Sequence, residues 1–207
     1  MKKSLSKLIL FILLIIPILI FLFLKFFGTN YHDLPVYYED GVDTTFALCN
    51  FPKGQHRLEN FTYVLPNGQL MGLDLNNRID LYYLSQNIEA ENSKKILNAL
   101  NRVQQQFREW PYFQITVLRT DINQATFEDD ITAMDPQWIF GFIPIEQAEN
   151  FARCGLVLDF ETESEKVNST LVLVDEEHRI RGYYDGLDIS EIDRLILEVR
   201  ILQHNWK

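Results

Sequence analysis

Cysteine and histidine carry the softest chemistry in this chain of 207 residues, which has two of the first and four of the second. Cys49 and Cys154 could join as a disulfide or, as thiolates, hold a soft metal. Their separation matches no motif, so pairing stays open at this level. Cys49 and His56 are the one Cys and His pair close in sequence, and C-x6-H is not a spacing used by zinc sites. A packed or paired Cys49 and a surface His56 is the plainer reading, with metal binding at Cys49 and His56 as the alternative. Cys154 stands near Phe151 and Ala152, where a free cysteine behaves as a small hydrophobe. His178 lies between two apolar runs and His204 close to the terminus, both suited to solvent, while His32 and Tyr31 suit a membrane interface.

Carboxylates cluster at Glu128, Asp129 and Asp130 and at Glu161, Glu163 and Glu165. Such runs read as solvated loops, or at most a weak cation site. The chain contains no phosphate-binding glycine loop, no G-x-G-x-x-G, no H-E-x-x-H and no G-x-S-x-G. No catalytic constellation is therefore expected, and no residue set of the chain's own calls for a cofactor. Asn60-Phe61-Thr62 and Asn168-Ser169-Thr170 are formal glycosylation sequons. A net charge of -10 argues against nucleic acid or anionic lipid headgroups as partners of the polar part.

These residues depend on two kinds of scaffold. Leu8 to Leu24 is an unbroken apolar run, and with Phe26 and Phe27 it reaches the length a helix needs to cross a bilayer. Lys2, Lys3 and Lys7 precede it and Asp33, Glu39, Asp40 and Asp43 follow, so the short basic tail belongs in the cytoplasm and the rest outside. No A-x-A-like cleavage site follows the run, which favours a retained anchor through residues 8–27 over a signal peptide. The expected location is a single pass of the inner membrane with the domain in the periplasm. Residues 1–28 are then tail and anchor, 29–60 an irregular extension rich in Pro and Gly, and 61–207 one domain.

Within that domain Phe61–Leu65 and Gln69–Leu73 flank Pro66-Asn67-Gly68, a hairpin pattern. Asp80–Ser85 predicts an interior strand; Asn92 or Ser93 can cap a helix with apolar residues Ile96, Leu97, Leu100, Val103 and Phe107; Phe113–Leu118 predicts the next strand. Pro144 opens a helix that Gly155 ends. Leu171–Val174 and Arg179–Tyr184 predict a hairpin, and Ser190 with Asp193 resembles a capping box before Ile192, Leu195, Ile196, Val199 and Leu202. Glu198 falls on the solvent side of that helix. Strand, helix, strand, helix, strand, strand, helix is an α/β, thioredoxin-like order: a βαβ unit and a ββα unit around a mixed central sheet, with an N-terminal hairpin and one preceding transmembrane helix.

Val174-Asp175, then Arg179-Ile180-Arg181-Gly182-Tyr183-Tyr184-Asp185-Gly186 and Ile192-Asp193-Arg194-Leu195-Ile196, together resemble the Sco/SenC family of membrane-anchored copper chaperones of cytochrome c oxidase assembly. Arg102-Val103-Gln104 adds to the likeness. The resemblance implies copper held by a C-x-x-x-C in the loop after the first long core strand and by a histidine before the penultimate strand pair. Here that loop, Ser85 to Ser93, contains no cysteine, Glu89 and Ser93 included, and Val167, Asn168 and Ser169 stand where the histidine would be. Amide, carboxylate and hydroxyl groups do not replace thiolates and imidazole for copper. The resemblance thus implies a member with its copper site erased: no enzyme, no resident cofactor, and a non-catalytic interaction or assembly role with a protein partner near oxidase biogenesis. The alternatives are an active copper or thiol-disulfide protein using Cys49 and Cys154, and a structural membrane-tethered domain unrelated to oxidases, which partner capture would separate.

Overall fold

The computed structural model describes residues 2–27, 34–42, 49, 51, 53–72, 78–85, 90–120, 135–158 and 168–206. Helix α1, Lys2–Phe27, contains the apolar run with Pro17 inside it, and large side chains from Phe11 to Phe23 are exposed. Its side chains are described only from 11 to 23. Among the described residues no helix is long and apolar enough to cross a membrane. Leu34–Lys207 forms a compact unit of its own.

In that unit β1 (Thr62–Val64), β2 (Leu70–Gly72), β3 (Ile79–Ser85), β4 (Phe113–Arg119), β5 (Trp138–Phe142), β6 (Thr170–Val174) and β7 (Ile180–Asp185) make one mixed sheet in the order β2-β1-β5-β4-β3-β6-β7. β3, β4 and β5 run parallel, and β6, β7 and the β1–β2 hairpin are antiparallel to their neighbours. α2 (Ala90–Phe107) joins β3 to β4, the crossover that a parallel pair requires. α3 (Ile145–Asn150) continues into a π-helical turn, Phe151–Gly155, and α4 (Ile189–Asn205) closes the chain.

Every residue of β3 is buried, because the strand is covered on both faces. Ile79, Leu81 and Tyr83 join Ile115, Val117, Leu171 and Leu173 under α2 and α4, which contribute Ile96, Leu100, Val103, Leu195 and Val199. The alternate residues Tyr82 and Leu84 face Leu118, Val172 and Val174 under Ala148, Phe151 and Ala152, with Val42 and Leu58 from the preceding segment. Gly141 in β5 has a packing reason: a Cβ there would strike the Tyr63 ring.

Several boundaries differ from the sequence reading. α2 begins at Ala90, before Asn92 and Ser93, so neither caps it; its far end is held by Gln137, whose Nε2 donates to the carbonyls of Phe107 (2.9 Å) and Trp110 (2.7 Å). α4 is capped by Asp188, which accepts from Ser190 N at 2.8 Å, and the pair Ser190 and Asp193 forms no capping box. Those bonds keep the Asp188 carboxyl below its ordinary pKa, first through the Ser190 side chain and then its backbone. β5 is an unforeseen strand. Glu198 is not a bystander on the solvent side: it accepts from Tyr184 Oη and pairs with Arg194 at 3.1 Å.

The packing of α4 makes Leu195→Ala, a fully buried truncation, cost about 2–5 kcal/mol. Leu197, 58% exposed on the same helix, should tolerate Ala within about 0.5 kcal/mol. Urea unfolding with unchanged m values reads both; equal small effects would show that α4 is not docked.

Candidate functional site

Two places bear on chemistry. The first is the end of the sheet where the resembled family would hold its metal. Register pairs Tyr83 with Leu171, which carries Ser85 at the close of β3 and Ser169 just before β6 to the same end. Gly186 N donates to Ser169 O at 2.8 Å there. Ser85, Ser93 and Ser169 are buried hydroxyls. Glu89 and Val167, with residues 86–88, lie outside the described residues, as do His32, Tyr31 and both acidic clusters. Nothing in the sequence of this end supplies a thiol or imidazole.

At the opposite end of β6, where register pairs Val174 with Asp80 and Ile180, residues that carry the family likeness act as a clamp. Asp175, 1% exposed, accepts from Glu177 N (3.0 Å), Arg179 N (3.0 Å), Arg179 Nε (2.8 Å) and Arg181 Nη1 (3.1 Å). Arg181 in turn donates through Nη2 to Leu34 O at 2.6 Å, tying the segment before the sheet to β7. Tyr37 N also donates to Ile180 O at 2.9 Å. His178, in the turn between β6 and β7, takes φ 64°, and it is only partly exposed rather than free in solvent.

The second place gathers the residues that sequence could not connect. Cys49 and Cys154, 105 residues apart, are joined as a disulfide with their Cα atoms 5.5 Å apart. Cys154 is therefore no free small hydrophobe. His56 is no surface residue: it is 5% exposed, and its Nε2–H donates to Gly155 O at 2.7 Å. That bond places a proton on Nε2, and Nδ1 is buried without a hydrogen-bond partner among the described residues. Phe51 and Tyr38 meet the imidazole edge-on at 5.4 and 6.2 Å. Cys49, His56 and Cys154 line one cavity of about 560 Å³, together with Phe61, Phe151, Glu59 and Glu146.

The π-helical turn presents Cys154 to this cavity. Leu156 N bonds to Phe151 O and Leu158 N to Ala152 O, both at 2.9 Å, and Tyr183 Oη donates to Leu156 O at 2.8 Å. Burial, with Tyr38 close by, pushes the Tyr183 phenol well above its ordinary pKa, so it stays a donor. Sequence reasoning missed the meeting of His56 with Cys154, and the only available signal was an even cysteine count in a chain expected outside the cytoplasm.

No known protein family matches the chain, and no curated protein does. Solved structures do. A SCO1/SenC family lipoprotein of Bacillus anthracis superposes with a TM-score of 0.55 at 16% identity over 71% of this chain and 95% of its own. A ScoI of Arabidopsis thaliana, solved with copper bound, gives 0.54 at 13% identity over 72% of this chain and 99% of its own. The thioredoxin domain of a thiol-disulfide oxidoreductase of Bacteroides vulgatus gives 0.50 at 14% identity over 70% and 95%. These likenesses show the fold: an α/β domain with a thioredoxin-like arrangement, similar in fold to Sco/SenC and thiol-disulfide proteins.

The clamp can be tested directly. Asp175→Ala would take the buried carboxylate away from the Arg181 guanidinium, itself 5% exposed, and should cost about 3–5 kcal/mol. Arg57→Ala, which loses an exposed pair with Glu177, should cost under about 1 kcal/mol. Comparable midpoints for the two variants in chemical unfolding would refute the clamp.

Proposed function

We propose that this chain is a membrane-anchored, Sco/SenC-like protein with a degenerate copper site, working without catalysis as an interaction or assembly factor in respiratory cytochrome oxidase biogenesis. One observation carries this reading. The strand end that would hold copper in such a protein brings Ser85 and Ser169 together, yet its described residues offer hydroxyl and amide groups. A thioredoxin-like scaffold around an end with no thiol or imidazole in its sequence fits binding to a partner better than metal transfer. The apolar run through residues 8–27 and the Lys2, Lys3 and Lys7 before it are what support the anchor, with the tail inside and the domain in the periplasm. A disulfide suits that oxidising compartment.

A second reading has its own observation. The Cys49–Cys154 bond opens on a cavity rather than lying in a sealed core, which favours a protein whose thiols cycle.

Two measurements bear on these readings. In spheroplasts, protease added outside should digest the chain beyond Gly28, and a protected domain would reverse the orientation. Copper titration of the oxidised protein against a competing chelator at neutral pH should show no tight site; stoichiometric binding that survives the competitor would remove the degenerate-site reading.

A further inference from the structure

His56 Nδ1 is a buried polar atom with no hydrogen-bond partner among the described residues. Nε2 is committed to Gly155 O at 2.7 Å, so in the neutral ring the lone pair is on Nδ1. An unmet buried acceptor is destabilising. Metal-ligating histidines have this arrangement, one ring nitrogen facing the ion and the other donating to a backbone carbonyl that fixes the ring. The carbonyl belongs to the residue after Cys154, and Cys154 is within bonding distance of Cys49. All three side chains line the same cavity with Glu59 and Glu146, and none belongs to residues 85–93 or 167–169.

While the sulfurs are bonded to each other neither is a thiolate, and among the described residues no three His, Cys, Asp or Glu groups are placed to hold an ion. We infer that reduction of the Cys49–Cys154 disulfide converts this cavity into a binding site for a d10 cation, Zn(II) or Cu(I), held by the two thiolates and His56 Nδ1. The inference rests on the second reading above and gives its thiols a ligand. A dithiol donor supplies the electrons: its two thiols become a disulfide, and the Cys49–Cys154 bond takes up two electrons and two protons. Metal binding then releases those two protons. Two thiolates and an imidazole suit either ion. Zn(II), being tetrahedral, takes a fourth donor, for which Glu59 and Glu146 are at hand.

The test uses the full chain in detergent, reduced anaerobically with a dithiol that is then removed by gel filtration. It is titrated separately with Zn(II) and Cu(I) against chromophoric chelators, with far-UV circular dichroism recorded throughout. Reduced protein should bind one equivalent of at least one ion and oxidised protein none, and the arm that binds names the metal. Cys49→Ser should abolish binding. His56→Gln, which can still donate to Gly155 O, should weaken it by about tenfold or more. No binding by folded, reduced protein, unchanged affinity in the His56 variant, or unfolding on reduction would each overturn the inference. A disulfide that resists the dithiol would instead overturn the second reading on which it stands.

Discussion

Covering β3 on both faces is the constraint from which the rest of the architecture follows. Its residues alternate between two apolar layers, so one layer needs α2 and α4 and the other needs something else. The short α3 and its π-helical turn supply only part of that second cover. The segment before the sheet completes it with Val42 and Leu58, and it must then be held in place by bonds that a helix would have provided for itself.

Three devices do so by different physics. The Arg181 link to Leu34 O is a charge-assisted hydrogen bond anchored by the buried Asp175. The Tyr37 N to Ile180 O bond uses a backbone group on the outer strand β7, which would otherwise be left unpaired. The disulfide acts on the unfolded chain: closing a loop of about 100 residues is worth about 4.7 kcal/mol on the chain-entropy account. The candidate site lies where the second layer meets this strapped segment, which explains why its residues come from positions as distant as His56 and Gly155.

The parts of the fold written in local pattern were legible. The terminal hairpin and α4 declare themselves through alternation in Ile180–Asp185 and the helical spacing of Ile192, Leu195 and Val199. β5 was not legible, since Trp138–Phe142 is a short run containing Gly141, whose place is set by the Tyr63 ring packed over it. The cap at Asp188 was overlooked for a similar reason: Ser190 looks like a cap by type, but its backbone N is what Asp188 receives. At the site, local pattern failed completely. Cys49, His56 and Cys154 converge through tertiary structure alone, and histidine burial depends on Phe51, Tyr38 and Gly155, none of which is marked by spacing.

The disulfide also imposes an order of events on the newborn chain. A ribosome adding about 5–20 residues per second makes Cys154 roughly 5 to 20 s after Cys49, given the 105 residues between them. Through that interval Cys49 is a lone thiol on a segment whose own partners, Gly155 and Ile180, do not yet exist. The strapped segment is thus made early and seated late, and the cavity it helps to line is among the last features of the molecule to take shape.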